Sequence, residues 1–327
     1  MSNRVASLRA AVAERVVVAD GAMGTMLQQQ DLTLDDFEGL EGCNEILNVS
    51  RPDVVRVIHD AYFAAGADCV GTNTFGANFA NLSEYDIVPR IRELARTGAQ
   101  IARDAADAAA TPARPRWVLG SVGPGTKLPT LQHVTFATLR DAYQEQVRGL
   151  IEGGVDAVLV ETAQDLLQAK AAVIGAKRAI AEGAYADRQD QPLLIVNVTV
   201  ETTGTMLLGT EIGAALTALE PLDIDMMGLN CATGPAEMSE HLRYLSRQAA
   251  VPLACMPNAG LPQLTAEGAS YPLTPVELAD AHETFTREFG LSLVGGCCGT
   301  TPEHISAVVE RVRAKPLAPR KPRRDPG

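Results

Sequence analysis

Short runs rich in Val, Leu and Ile recur along this chain, each followed by a longer stretch whose apolar residues fall at helical spacing, and that alternation constrains the fold more than any other feature. The runs close at Asp20, Thr74, Ser121, Thr162, Val200, Cys231, Asn258 and Gly296, eight in all. Nearly continuous apolar strands separated by helices make a parallel sheet covered on both faces. Several runs begin alike: a helical stretch closes on Gly, an Asp follows and the strand starts, as in AAGADCV at 64–70 and EGGVDAV at 152–158. Gly supplies the left-handed cap that ends a helix. Eight such units around one core predict a closed (β/α)8 TIM barrel, an α/β fold in a single domain over residues 1–314, in preference to an open doubly wound sheet. Ser50 ahead of Arg51-Pro52, and Thr300 or Thr301 ahead of Pro302, are the expected caps of two helices that carry Pro in the first turn. The closing stretch KPLAPRKPRRDPG, 315–327, is basic and proline-rich and reads as a tail or linker.

Charge narrows the range of partners. The chain carries a net −12, and because its last thirteen residues hold five Lys or Arg against one Asp, the remainder is near −16. An acidic body lacks the clustered basic charge that nucleic acid and anionic membrane surfaces require. No apolar stretch is long enough to span a bilayer, and the first twenty residues have no compact apolar core followed by a small-residue cleavage site. A cytoplasmic location is the resulting expectation. Six cysteines in 327 residues are too sparse for a disulfide framework. They are expected as thiols, available to a metal.

Barrel enzymes build their sites at the C-terminal ends of the strands. Those ends are unusually polar here, and three of them are thiols: Cys231 closes the sixth run, and Cys297 with Cys298 follows the eighth. Sulfurs 66 positions apart thus converge on one rim. Three thiolates suit Zn2+, which in a catalytic site keeps its fourth position for water or substrate. A single strand cysteine is more often a small buried apolar residue, the reading adopted for Cys69 and Cys255, while Cys43 in a loop stays unassigned. A substrate thiol arriving at the open metal position would be held ionised at neutral pH. No histidine is needed as a base, and all five fall on helices or, for His133, in a loop.

Glu161 brings a carboxylate to the end of an otherwise apolar strand, suited to hold an ammonium group or else to satisfy a neighbouring loop. Asp20 and Gly21 open DGAMGT, a carboxylate followed by a turn whose N–H groups suit a substrate carboxylate, or a tight turn with no ligand. The Gly-rich GSVGPGT at 120–126 lacks the Lys-Ser/Thr ending of a phosphate loop, and Pro124 removes a donor. No Lys stands at a strand end, which disfavours Schiff-base chemistry.

Together DGAMGT (20–25), EGCNEILN (41–48), TNTFGAN (72–78), GLNCATGP (228–235), MPNAGLP (256–262) and GGCCGTTPEHI (295–305) resemble the N-terminal homocysteine-binding module of the cobalamin-dependent methionine synthases, within the homocysteine S-methyltransferase family. The likeness runs from about residue 16 to about 313. It implies zinc held by Cys231, Cys297 and Cys298, with homocysteine sulfur as fourth ligand, and contacts from Asp20, Gly21, Asn73 and Glu161 to the amino acid end of homocysteine. It further implies methyl transfer from methylcobalamin to give methionine, with 5-methyltetrahydrofolate as ultimate donor and with cobalamin-binding and folate-binding modules present in cis or in trans. Gly71 departs from the pattern, where a larger, often acidic residue is expected. Two other readings compete: a free-standing homocysteine S-methyltransferase that draws methyl from S-methylmethionine or another sulfonium, and a barrel with a structural zinc. The second would need a fourth protein ligand, and only three are apparent.

Overall fold

The structure is a computed structural model and describes residues 2–265, 268–314 and 318–320. Among these residues the strands are β1 (Val17–Val18), β2 (Cys69–Gly71), β3 (Trp117–Val122), β4 (Ala157–Ala163), β5 (Leu193–Val198), β6 (Met226–Asn230), β7 (Leu253–Met256), β8 (Gln263–Thr265), β9 (Gly268–Ser270) and β10 (Leu293–Val294). Eight of them pair in parallel in the order β2, β3, β4, β5, β6, β7, β10, β1; each coincides with a run expected as a strand, β3 and β4 extending one residue beyond the expected ends at Ser121 and Thr162. Between β1 and β2 the barrel is drawn together by Asp68, whose N–H donates to Val18 O (2.6 Å) and whose carboxylate accepts from Val18 N (3.0 Å). The antiparallel hairpin of β8 and β9 was not foreseen. It interrupts the segment between β7 and its following helix.

The helices are α1 (Ser2–Glu14), α2 (Met23–Gln28), α3 (Leu47–Ser50), α4 (Pro52–Ala64), α5 (Phe79–Leu82), α6 (Ile91–Ala109), α7 (Phe136–Gly153), α8 (Leu166–Ala181), α9 (Ile212–Leu219), α10 (Pro235–Gln248), α11 (Pro275–Phe289) and α12 (Pro302–Ala314). Two apolar layers result. One lies between strands and outer helices, and the other fills the barrel with Val17, Cys69, Trp117, Leu119, Leu159, Ile195, Met226 and Met256. Val5, Leu8 and Val12, on one face of α1, join this inner layer and so close the barrel from below. Cys69 and Cys255 are fully buried, as expected of core residues. Gly154, at φ +94°, caps α7 in the left-handed conformation that the Gly-Asp pattern implied.

The Asp just before a strand has its own structural task, repeated three times. Asp68 accepts from Val18 N, Asp156 from Val118 N and Asp225 from Leu194 N, each joining the start of one strand to its predecessor. Arginines of α1 and the residue that follows it reach all three: Arg15 to Asp68 (2.8 Å), Arg4 to Asp156 (3.3 Å) and Arg9 to Asp225 (2.6 Å). The apolar face of α1 and these ion pairs therefore fix one helix across three strand pairs.

Two expected caps differ. Ser50 does not cap α4; its hydroxyl donates to Asp36 O and Ile46 O, because Ser50 still ends α3 and Arg51 occupies the cap position. Thr301, ahead of Pro302, instead pairs with His304 Nδ1 (3.0 Å). Of the tail expected at 315–327, only 318–320 lie among the described residues, and there Arg320 donates to Ala249 O and Val251 O. No helix among the described residues is long and apolar enough to cross a membrane.

Candidate functional site

At the C-terminal mouth of the barrel a cavity of about 250 Å3 is lined by Asp20, Gly21, Asn73, Glu161, Cys231, Cys297 and Cys298, so all seven residues singled out from sequence meet in one place. The wall is built from strand ends. Asp20 follows β1, Asn73 follows β2, Glu161 lies on β4, Cys231 follows β6, and the cysteine pair follows β10.

The three sulfurs lie within 4.8 Å of one another. Zinc–sulfur bonds of about 2.3 Å in a tetrahedron put sulfurs roughly 3.8 Å apart, and Cys231 Sγ stands 3.8 Å from Cys298 Sγ. The donor set fits a soft divalent metal at three positions of a tetrahedron. Backbone contacts hold the cysteines in place: Cys231 N donates to Met256 O, Cys297 N to Pro257 O and Cys298 N to Asn258 Oδ1. Cys231 and Ala232 have φ of +61° and +56°, a region that costs an L residue about 1–2 kcal/mol. Strain at the end of β6 thus turns Cys231 toward the pair. Glycines serve GGCCG in two ways. Gly299, at φ +78°, makes the turn, whereas Gly296 is needed for room, since a Cβ there would stand 2.4 Å from Thr300 Oγ1.

The thiols ionise as a unit. Hydrogen bonds from Cys231 and Cys297, and one from the Tyr271 phenol, hold Cys298 well below the usual thiol range. Cys297 is pushed well above it by its bonds to Cys231 and Cys298 and by burial. In Cys231 the contact with Cys297 pulls down, but the bond to Cys298 and burial prevail and raise it.

Two carboxyls line the same cavity. Glu161 accepts from Ser121 Oγ (2.5 Å) and Asn230 Nδ2 (3.3 Å), yet burial pushes it up to about 7. Asp20, which accepts from Gly71 N (2.9 Å), is raised well above the carboxylate range by burial and further by Glu161. Gly71, unexpected in sequence, has space for a Cβ only 3.7 Å from Asp20 Oδ1, so an acid there would bring a further carboxyl toward this pair. Gly21 is obligatory: a Cβ would lie 2.5 Å from Thr300 Oγ1 and 3.0 Å from the Tyr62 hydroxyl, which bonds to both Ala22 O and Thr300 O. Asn73 lines the cavity with its amide nitrogen donating to Asn44 O (2.8 Å) and Asn48 Oδ1 (3.1 Å).

Sequence reasoning assigned no part to several residues placed here. Asn230 is central, its amide nitrogen reaching Glu161 Oε2, Thr162 Oγ1 and Cys297 Sγ, and so coupling the acidic and sulfur halves. Glu45, inside EGCNEILN, accepts from Gly76 N and lines the cavity. Tyr271, beyond the hairpin, lies over Gly299, which has no Cβ to obstruct it. The first two sat in quoted motifs. Tyr271 follows an insertion and carried no signal. Cys43, left open, is buried and pushed up to about 11 by burial and by Glu45, the geometry of a core thiol.

Comparisons with known proteins bear on the family and the fold. The family model for homocysteine S-methyltransferase matches residues 17–312. Methionine synthase of Mycobacterium tuberculosis (strain ATCC 25618 / H37Rv) is 64% identical over 301 residues, which is 92% of this chain and 25% of that protein. Methionine synthase of Mycobacterium leprae (strain TN) is 63% identical over 301 residues, 92% of this chain and 24% of that protein. The chain therefore spans about a quarter of the length of these relatives. Among solved structures, the metallated form of the homocysteine methyltransferase MmuM from Escherichia coli superposes with a TM-score of 0.73 at 22% identity, over 91% of this chain and 96% of that one, a likeness of fold.

Proposed function

We propose, from the premise that the chain belongs to the homocysteine S-methyltransferase family, that it is the homocysteine-activating module of a methionine synthase and moves a methyl group from methylcobalamin to homocysteine sulfur. The observation that carries this is the meeting, in one cavity, of three cysteine sulfurs within 4.8 Å of one another with the buried Asp20 and half-buried Glu161 carboxyls. In this reading Cys231, Cys297 and Cys298 hold zinc, which when bound keeps an incoming thiol ionised at neutral pH. Glu161 receives the substrate ammonium and Asp20 supports it from just beyond β1. N–H groups of the turn beyond Ala22, whose own N–H donates to Thr300, suit the substrate carboxylate, and Asn73 lines the same cavity. Ser121 and Asn230 fix the Glu161 carboxylate, so the amino acid end is set at a constant distance from the sulfurs. With the nucleophile supplied as a thiolate, the chain's part is to aim it at the methyl group that methylcobalamin, held by another module, would supply.

Relatives about four times as long support a setting in which folate-binding and cobalamin-binding modules accompany this one, with 5-methyltetrahydrofolate as the ultimate donor. Residues 1–314 are taken as the module and 315–327 as a tail or linker.

The deciding experiment is zinc content with X-ray absorption, with and without homocysteine, in the parent protein and Cys297→Ala. One zinc with three sulfurs, becoming four with homocysteine and lost in the variant, supports the reading. No zinc, or a coordination sphere indifferent to homocysteine, refutes it. Turnover with S-methylmethionine but not methylcobalamin would move the donor assignment to a sulfonium.

A further inference from the structure

The end of the barrel away from the thiols holds a second, unlike cavity of about 360 Å3 beside the Asp68 strand start. Arg15 from the end of α1, Arg114 from the loop before β3 and Arg313 from the end of α12 line it. Arg116 lies behind them, its side chain only 4% exposed. Three of these guanidiniums share one carboxylate: Arg15 stands 2.8 Å, Arg313 3.3 Å and Arg116 3.8 Å from Asp68. That carboxylate already accepts from Val18 N as well. Arg114 has no ion pair among the described residues.

The sibling sites provide an internal control. At Asp156 the second arginine, Arg103, also pairs with Asp107, and at Asp225 the second, Arg188, also pairs with Asp223. Each additional cation there has an additional acid. At Asp68 four arginines surround one acid, leaving about three positive charges uncompensated in a chain whose net charge is −12. The excess is felt inside the protein. Nε and Nη1 of Arg116 are buried without a hydrogen-bond acceptor, and its guanidinium has only the face of the Phe63 ring, 5.7 Å to the centroid, and the distant Asp68 to offset its charge. Arg116 and Arg313 are both held below the usual guanidinium range, first by burial, and both also by Arg114.

We propose that this cavity is a binding site for a small multivalent oxyanion, a phosphate or polycarboxylate group taken by Arg15, Arg114 and Arg313. Guanidinium forks match planar or tetrahedral oxyanions, two donors at a time. Occupation would join α1, α12 and the β3 loop across the Asp68 joint, on the face opposite the methyl transfer site, so the ligand acts on the scaffold and not on the chemistry. The site stands independently of the proposed reaction.

The test is titration calorimetry of the full chain with inorganic pyrophosphate and with citrate, at ionic strength matched with sodium chloride, for the parent, Arg114→Gln, Arg114→Lys and Arg313→Gln. Arg114 and Arg313 lie at the surface, so these variants are expected to fold, and circular dichroism checks it. Saturable binding with one site, weakened about tenfold or more in each Gln variant through loss of charge-assisted bonds and partly kept in Arg114→Lys, supports the proposal. Tighter binding of pyrophosphate than citrate assigns a phosphate ligand, and the reverse a carboxylate. No saturable heat with either anion, or equal affinity in parent and Gln variants, overturns it.

Discussion

Replacing Glu161 by Gln keeps the shape of the side chain and removes its charge, and the structure predicts opposite effects on stability and binding. Burial raises this carboxyl from 4.5 to about 7. A folded-state value above the unfolded one means that the folded protein keeps a proton the unfolded chain has released, so stability falls as pH rises from 4.5 to about 7 and levels off beyond it. The full shift corresponds to about 3 kcal/mol, and solvent admitted by the open cavity reduces this to about 2 kcal/mol. For a barrel of this size that is roughly 3 °C in melting temperature. Glu161→Gln has no such proton to lose. Its melting temperature relative to the parent should therefore climb by roughly 3 °C between pH 5 and pH 8, whatever constant offset the amide's contacts with Ser121 and Asn230 introduce. In the same variant, loss of a charge-assisted bond to the substrate ammonium should weaken homocysteine binding by about tenfold to a hundredfold at pH 8, measured by calorimetry on the zinc-loaded protein. A melting difference that stays flat with pH would refute the assignment of a buried, raised carboxyl. Unchanged homocysteine affinity would refute its role at the ammonium.

Chelating the metal should leave the circular dichroism spectrum intact and lower the melting temperature only modestly, because the core is complete without it; global unfolding on chelation would instead mark a structural site. Gly21→Ala, which drives a Cβ to 2.5 Å from Thr300 Oγ1, should cost about 1–3 kcal/mol in urea unfolding and abolish homocysteine binding, and a variant of parental stability would contradict the close approach. Both ring nitrogens of His59 are buried without partners, and burial pulls it down to about 3. A lowered value gives stability that is present above 6.5 and lost as pH falls toward 3, so between pH 7 and pH 5 the parent should lose about 2 kcal/mol that His59→Leu retains; parallel pH profiles would exclude this.

The strand ends were legible because a barrel strand buried on both faces must be apolar throughout, so a polar residue such as Glu161 or Asn73 stands out against it. The thiols were legible for the same reason. What was hidden depends on distances across the chain. Nothing local marks Asn230 as the link between Glu161 and Cys297, since its neighbours on β4 and after β10 are far away in sequence. The hairpin and Tyr271 escaped because β8 and β9 are three residues each and lack an apolar strand signature. Ser50 was misread because two helices, α3 and α4, abut with a single residue between them. The arginines around Asp68 come from four segments, and only folding gathers their charge.

The aspartate fastenings tie β1 to β2, β3 to β4 and β5 to β6, but the remaining neighbours, β7 and β10, have Ser292 where an acid would stand. The barrel is thus riveted in three of its four quarters. The unriveted quarter is the one whose loops present the hairpin and the cysteine pair, and its far rim is where Cys231 meets Cys298. A metal held there would do for this quarter, from above, what the acids do for the others from below. Amide hydrogens of β7 and β10 should accordingly exchange fastest of all the staves in the metal-free protein, and slow toward the rest when zinc is added.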